Sequence, residues 1–194
     1  RMDDNPALRN ACIESDEVHA IYIFSSKQNE LHNEANCKIE FVIDNLKKLD
    51  KELSKINIPL TIIDSRGFDD NSDIIFNLFK ERSFTKVFWN NQFGTDEQKR
   101  DELVKRFFEI NNIEFSSYDE KVVYPPGFIR TGENKPYSVF TPFKRKWIEN
   151  FNLDLLDIEF KYLEKKKSSI TSNVVDFDFK FKRNHLVDMS IWPS

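Results

Sequence analysis

The chain has 194 residues, of which 39% are hydrophobic and 14% aromatic, and its formal net charge at pH 7 is -4. This length and apolar content suffice for one substantial core. The acidic balance excludes a domain that holds nucleic acid by itself, because phosphate binding needs a basic surface. Cys12 and Cys37 form neither a CxxC pair nor a disulfide framework, which indicates a reducing cytoplasm. No apolar run is long enough to cross a bilayer, so we expect no membrane contact.

The first 65 residues alternate between helical and strand patterns. Asn5 followed by Pro6 predicts an N-cap and a first helical position, opening a helix to about Ser15. A second helix, which Pro59 ends, is predicted from apolar residues that recur at steps of three and four. These residues are Phe41, Val42, Leu46, Leu49, Leu53 and Ile56. The strands predicted on either side of this helix are Val18–Phe24 and Leu60–Ile63.

The next 50 residues continue the alternation. A helix over Asp73–Glu81 precedes a strand over Lys86–Trp89. Thr95 and Gln98 have the spacing of a capping box, which predicts that Thr95 is the N-cap of the following helix. A last strand is predicted at Ile113–Phe115. Strands that alternate with helices indicate βαβ units, so we expect an α/β, Rossmann-like parallel sheet with helices on both faces.

The pattern changes after residue 115. Pro125, Pro126 and Gly127 rule out regular structure, and Thr141 before Pro142 predicts the cap of a short helix to about residue 151. Residues 152–194 are charged and irregular. Within them, residues 174–182 alternate between apolar and charged side chains, which suits an exposed strand or an extended segment on a neighbour.

Two segments carry a pattern that packing rules alone do not require. Residues 130–147 read Arg-Thr-Gly-Glu-Asn-Lys-Pro-Tyr-Ser-Val-Phe-Thr-Pro-Phe-Lys-Arg-Lys-Trp, and residues 1–8 read Arg-Met-Asp-Asp-Asn-Pro-Ala-Leu. Both segments resemble the DNA photolyase and cryptochrome family, in the family's order and at about the family's separation. The resemblance covers residues 1 to about 150 and is closest to a bacterial cyclobutane pyrimidine dimer photolyase.

The resemblance implies a particular division of the chain. Residues 1–151 would be the family's N-terminal α/β antenna domain, without the first strand, which is central in the family's sheet. Residues 18–24 and 86–89 would then flank an empty slot. Residues 152–194 would be an interdomain linker leading to a helical flavin domain outside the chain. We expect this linker to make few contacts with the core, and Phe177, Phe179 and Phe181 to cover an absent neighbour.

Most kinds of catalytic site are disfavoured by the residues themselves. The sequence contains no G-x-S-x-G, P-loop or G-x-G-x-x-G motif, and the three histidines match no zinc spacing. The remaining possibility is a ligand site at the carboxyl ends of the parallel strands, because open α/β sheets bind their ligands there. The loops of residues 25–33 and 90–97 meet there. Phe88, Trp89 and Phe93 either stack on a ligand at this edge or belong to the core.

The resemblance also implies residues for this site. In family members with a folate antenna, methenyltetrahydrofolate lies against these two loops, and by motif alignment its ligands fall on His32, Asp96 and Glu97. The family has Asn where this chain has Asp96, and a carboxylate cannot donate hydrogen bonds. Glu97 could accept two adjacent pterin N–H groups. The alternative for Asp96 and Glu97 is that both merely stabilise a helix start, where acidic residues are common.

The function implied by the resemblance is that of a light-harvesting domain. Such a domain passes excitation energy to FAD in the helical domain, which then repairs pyrimidine dimers as a lyase. Damaged DNA would contact that domain and not residues 1–194, and the protein would be a cytoplasmic monomer. Two alternatives stay open: a cryptochrome, whose distinguishing residues lie downstream, and a flavodoxin-like nucleotide-binding module.

Overall fold

The computed structural model describes residues 1–65, 70–152 and 160–179. These residues form four strands and six helices. In chain order the elements are α1 (Pro6–Glu14), β1 (Ala20–Ser25), α2 (Ser26–Leu31), α3 (Asn36–Ser54), β2 (Leu60–Ser65), α4 (Asn71–Glu81), β3 (Lys86–Asn90), α5 (Thr95–Ile110), β4 (Glu114–Tyr118) and α6 (Phe140–Asn150).

The strands pair in two parallel ladders. In the first, β1 pairs with β2 from Ala20 opposite Leu60 to Ser25 opposite Ser65. In the second, β3 pairs with β4 from Lys86 opposite Glu114 to Asn90 opposite Tyr118. Each pair is joined by a helical crossover, as parallel strands require. The predicted βαβ organisation is therefore confirmed.

Helices cover both faces of these ladders. On one face α1 and α3 pack against alternate residues of β1 and against Phe88 of β3. On the other face α4 and α5 pack against Val87 and Trp89, with Phe108 fully buried between them. Neighbouring residues of a strand point to opposite sides, so β3 contributes Phe88 to one layer and Val87 and Trp89 to the other. The predicted Rossmann-like α/β class is confirmed.

A cleft separates the two ladders. The described strands pair only as β1 with β2 and β3 with β4, so the facing edges of β1 and β3 make no ladder with each other. Between them lies a cavity of about 1080 Å³, lined by all the residues of both strands and by the inner sides of α1, α3, α4 and α5. The expected slot between these two strands is present. The four strands were expected in one sheet interrupted by this slot, and the described strands form two separate pairs on its two sides.

The predicted helix starts have different outcomes. Asn5 is the N-cap of α1, and its side chain accepts a hydrogen bond from the Leu8 N–H, with Pro6 as the first helical residue. The capping box is wrong, because Thr95 is already helical and the N-cap is Gly94. The predicted cap of α6, Thr141, is wrong as well, because this helix already begins at Phe140. The N-cap lies one residue earlier than predicted in α5 and two residues earlier in α6, and in both helices it is an extended residue without a side-chain cap hydrogen bond.

The first predicted loop contains a short helix instead. Residues Ser26–Leu31 form α2 directly after β1. Asp64, near the end of β2, accepts hydrogen bonds from the Ser26 N–H at 3.1 Å and from the Ser26 hydroxyl at 2.9 Å. This carboxylate satisfies a donor at the start of the helix that the sequence pattern does not reveal.

Residues 160–179 pack against the α/β core, which contradicts the expectation of few contacts. Val174 and Phe179 are buried, and the rings of Phe177 and Phe179 meet the ring of Phe24 edge-on. Residues 174–176 form a turn, in which Val174 points inward while Val175 and Asp176 are exposed. Phe181 lies outside the described residues. The division of the chain near residue 151 stays a prediction.

The same segment covers the outer edge of β2. The Asn173 side chain accepts from the Ile62 N–H at 2.7 Å and donates to the Ile62 carbonyl at 2.9 Å. The Ser172 hydroxyl accepts from the Leu60 N–H at 2.9 Å. These groups satisfy the backbone of an edge strand, which would otherwise be free to pair with another chain.

Candidate functional site at the carboxyl ends of the strands

Polar side chains gather where the cleft opens at the carboxyl ends of β1 and β3. Ser25 is the last residue of β1 and Asn90 the last residue of β3, and both line the cleft. The cleft is lined here by residues of α2, α4 and α5 and of the loop after β3. They include Gln28, His32, Asn71, Gln92, Asp96 and Glu97. The structure thus brings all three sequence-predicted ligands into one cleft.

Glu97 is the third residue of α5 and is half-buried. Its carboxylate folds back over Gly94: a Cβ atom at residue 94 would lie 2.1 Å from Glu97 Oε2. The backbone of Gly94 has φ -66°, so the glycine is needed for space and not for its conformation. The N-terminal end of a helix also favours a negative charge. These features suit a carboxylate held ready to accept hydrogen bonds.

Asp96 and His32 lie nearer to the solvent. The Asp96 side chain is 58% exposed, and its Oδ1 lies 3.5 Å from Lys99 Nζ. His32 ends α2 and is exposed, and its Nε2 accepts a hydrogen bond from the Gln28 amide at 2.6 Å. Gln28 and His32 together form a polar rim on the β1 side of the cleft, whereas Asp96 lies on α5.

The loop after β3 is fixed to α5 by a buried ion pair. Asp101 Oδ2 accepts from the Gln92 N–H at 3.2 Å, while Asp101 Oδ1 accepts from Arg100 Nε at 2.9 Å and from Nη2 at 2.7 Å. Lys121 donates to the Gln92 side chain. Asp101 is only 9% exposed, so Arg100 offsets the cost of burying its charge. These contacts hold the loop after β3 next to Glu97, and they could not be predicted from the spacing of residues in the sequence.

Within the described residues, three buried polar atoms of the cleft lack hydrogen-bond partners, and one of them is Nδ1 of His19 near the start of β1. Asn71 is 4% exposed and its Oδ1 accepts no hydrogen bond. The indole Nε1 of Trp89 is buried without an acceptor, although the ring stacks on Phe115 at 5.1 Å and meets Phe108 edge-on. Of the two alternatives for Trp89, a ligand contact or a place in the core, the ring packing supports the core, although the indole N–H has no acceptor there. The sequence analysis missed Asn71, because an Asn before an apolar run carries no signal beyond a helix start.

The described part of the chain shows neither a metal centre nor a membrane helix. Over residues 1–65, 70–152 and 160–179, no three His, Cys, Asp or Glu side chains converge as metal ligands. None of the helices in these ranges is both long and apolar enough to span a membrane. A cleft with carboxylate and amide groups at its mouth suits an organic ligand that offers hydrogen-bond donors.

This fold and this cleft define a Rossmann-like α/β domain with its ligand site at the carboxyl ends of parallel strands. The sequence model of the DNA photolyase family matches residues 1–162. The chain therefore belongs to the DNA photolyase family. The family membership that residues 1–8 and 130–147 predicted is confirmed.

Curated relatives and solved structures agree with this assignment. The chain is 34% identical over 151 residues to a deoxyribodipyrimidine photo-lyase of Vibrio cholerae, covering 78% of this chain and 32% of the relative. A deoxyribodipyrimidine photo-lyase of Escherichia coli is 34% identical over 150 residues, which are 77% of this chain and 31% of that protein. The chain thus spans about a third of the length of these relatives.

Two solved structures share the fold at low sequence identity. A bacterial class III photolyase from Agrobacterium tumefaciens superposes with a TM-score of 0.67 at 20% identity, covering 94% of this chain and 37% of that one. An archaeal photolyase from Sulfolobus tokodaii superposes with a TM-score of 0.63 at 20% identity, over 96% and 41% of the two chains.

Proposed function

We propose that this chain is the light-harvesting antenna part of a deoxyribodipyrimidine photolyase. It binds a second chromophore in the cleft and passes excitation energy to FAD held elsewhere in the full-length enzyme. The observation that carries the proposal is the position of Glu97 at the mouth of the cleft, in a chain of the photolyase family. The FAD then drives the repair of pyrimidine dimers in DNA.

The chemistry of Glu97 fits methenyltetrahydrofolate as the antenna. The aminopyrimidine edge of a pterin offers two adjacent N–H donors, and one carboxylate accepts both. Gly94 leaves room for the Glu97 carboxylate, and the start of α5 favours its charge. His32 on the opposite rim is the second proposed ligand, and Asp96 contributes negative charge without donating a hydrogen bond.

Other light-absorbing rings are the alternative within this function. The structure from Sulfolobus tokodaii is described with two FAD molecules and as implying a novel light-harvesting cofactor. A flavin also carries a ring N–H beside carbonyl groups, so the same cleft could accept one. We favour the folate because Glu97 matches two donors at once.

The partners of the chain follow from its charge and its exposed surface. With a net charge of -4, this part leaves DNA contact to the helical flavin domain of the parent chain. Exposed apolar residues on and before α6, such as Phe140 at 71% and Ile148 at 56%, suit a contact with that domain. We propose that the parent protein works as a monomer in the cytoplasm.

Titration with methenyltetrahydrofolate tests the proposal. We expect the chain to bind the folate with a change in its near-ultraviolet absorption band. Glu97→Gln replaces one acceptor by a donor and should weaken binding by about 2 kcal/mol, or more than tenfold. Glu109→Gln is the matched control, because Glu109 is exposed at the far end of the same helix. Equal affinity of the wild type and Glu97→Gln would leave Glu97 as a helix-start residue only.

A further inference from the structure

The start of the short helix α2, which leads to His32, is fixed by the ends of two strands. Ser26 donates its N–H to Asp64 Oδ1 at 3.1 Å and its hydroxyl to Asp64 Oδ2 at 2.9 Å. The hydroxyl of Ser25 lies 2.9 Å from that of Ser65, which is fully buried. The carboxyl ends of β1 and β2 therefore determine where α2 begins.

The end of α2 is closed by a Schellman motif. His32 is the C-cap, and the next residue, Asn33, has φ 48°, in the left-handed region. The Asn33 N–H donates to the Glu30 carbonyl at 3.1 Å. The Glu34 N–H donates to the Asn29 carbonyl at 2.9 Å, which completes the two bonds of the motif. The backbone of His32 is thus fixed at the mouth of the cleft.

Gln28 holds the imidazole of His32 as well as its backbone. The Gln28 carbonyl accepts from the His32 N–H at 3.0 Å, and the Gln28 side-chain Nε2 lies 2.6 Å from His32 Nε2. An amide nitrogen can only donate, so His32 Nε2 accepts this hydrogen bond. A neutral imidazole carries one ring proton, which is then on Nδ1. Gln28 therefore makes the ring a donor through its Nδ1–H.

A donor is the group that the carboxylates of α5 cannot supply. Asp96 and Glu97 only accept hydrogen bonds when they are ionised. The proposed folate carries a ring carbonyl beside its N–H groups, and such an oxygen needs a donor from the protein. His32, which lines the cleft on the β1 side, can provide this donor only while its proton is on Nδ1.

We propose that Gln28 and Asp64 are positioning residues of the antenna site, and that both act through His32. Gln28 selects the Nδ1–H tautomer of the ring, and Asp64 fixes the start of the helix that leads to it. Neither residue needs to contact the chromophore. This inference rests on the proposed antenna function and deepens it, because the chromophore must then carry an oxygen acceptor for His32.

The tautomer of His32 can be measured without any ligand. Nuclear magnetic resonance of the isotopically labelled protein shows which ring nitrogen carries the proton, in mildly alkaline solution, where a histidine side chain is neutral. We expect the proton on Nδ1. Gln28→Glu should move it to Nε2, because a carboxylate can only accept. Lys27→Gln, at an exposed neighbouring residue, changes the charge of α2 by the same amount and should leave the proton on Nδ1.

Titration with methenyltetrahydrofolate measures the consequence for binding. Gln28→Glu should weaken binding about fivefold to tenfold, the value of one hydrogen bond, and Lys27→Gln should not. In a His32→Ala background Gln28→Glu should have no further effect, because Gln28 acts through the ring. An equal loss in both backgrounds would overturn the inference, since Gln28 would then act on the ligand by another route.

Hydrogen exchange at the start of α2 tests Asp64. Asp64→Ala should speed the exchange of the Ser26 amide, lower the population of the Nδ1–H tautomer and weaken folate binding. Asp64→Asn keeps Oδ1 as an acceptor for this amide, so it should retain both protection and binding. Unchanged exchange or unchanged binding in Asp64→Ala would overturn the role of Asp64.

This inference and the antenna proposal fail in different ways. If the wild type does not bind the folate, the antenna proposal is wrong, while a proton that moves from Nδ1 to Nε2 in Gln28→Glu still shows that Gln28 sets the ring. If Glu97→Gln weakens folate binding but the His32 proton of the wild type lies on Nε2, the antenna proposal stands and this inference is wrong.

Discussion

Asn90, the last residue of β3, is hydrogen-bonded to Asn5, the N-cap of α1. Asn90 Nδ2 donates to Asn5 Oδ1 at 2.8 Å, and Asn90 Oδ1 accepts from the Ala7 N–H at 3.1 Å. Asn5 Oδ1 also accepts from the Leu8 N–H at 3.0 Å. One amide thus joins the start of a helix to the end of a strand 85 residues later. The bond fixes α1 beside the ligand-binding edge of the cleft.

Removing this amide should destabilise the protein. In Asn90→Ala the Ala7 N–H, at the buried start of α1, loses its acceptor, which typically costs about 1 to 3 kcal/mol. Asn90→Asp keeps this acceptor and should cost less. Urea unfolding monitored by circular dichroism gives both values. Equal midpoints for the wild type and Asn90→Ala would show that the contact contributes nothing to stability.

The contact between Asn173 and β2 should matter in the same way. Asn173→Ala removes two hydrogen bonds to the backbone of Ile62, so we expect a loss of about 1 to 3 kcal/mol in the free energy of unfolding. The uncovered strand edge should also increase aggregation, measurable by light scattering. Thr171→Ala, an exposed position in the same segment, is the control. A stability change in Asn173→Ala no larger than in the control would refute the role of residues 160–179 in the core.

Gly94 should be important for binding and unimportant for stability. In Gly94→Ala the new Cβ takes the space of the Glu97 carboxylate, a flexible group that can move away with little effect on folding. The displaced carboxylate should bind methenyltetrahydrofolate less tightly, while the melting temperature changes by only a few degrees. The result that contradicts this account is unchanged folate affinity, since Glu97 would then not need its present position.

His19 should make stability depend on pH. Burial, with the charge of Arg82 adding to it, lowers the pKa of His19 to about 4, from 6.5 in the unfolded chain. Between these values only the unfolded chain binds the proton, so stability is lost as the pH falls from 6.5 toward 4 and the loss levels off below 4. His19 Nε2 lies 2.7 Å from the Thr61 hydroxyl, a contact that a Gln side chain can replace.

The corresponding measurement compares urea midpoints of the wild type and His19→Gln at pH 7, 5.5 and 4.5. The wild type should lose more stability than the variant over this range, because only its unfolded form gains a proton at residue 19. Parallel losses in the two proteins would show that His19 titrates alike in the folded and unfolded states.

The strands and long helices could be predicted because their apolar periods are distinct. The strand starting at Lys86 begins where the sequence pattern places it, and the helix starting at Thr95 begins one residue before its predicted start. The six-residue helix α2 could not, because it has no apolar face and its start depends on Asp64, far along the chain. The tail was misjudged for a related reason: the alternation of its apolar residues does not show that β2 offers an edge, which Ser172 and Asn173 cover.

The candidate site was predictable only in part. Asp96 and Glu97 follow from a helix start at the carboxyl end of a strand, where ligands bind in this fold class. The burial of Asn71 could not be found in this way, since it comes from the packing of α4 against the rest of the fold. Residues held by tertiary contacts carry no signal in the spacing of a single sequence.

The most direct test of the account is to locate bound chromophore on this chain by nuclear magnetic resonance. Methenyltetrahydrofolate added to the isotopically labelled protein should shift the signals of Glu97, Asp96 and His32. Signals of α6 should stay in place, because this helix contributes no residue to the cleft. Shifts centred on α6, or no shifts at saturating folate, would contradict the claim that the carboxyl end of the cleft is the antenna site.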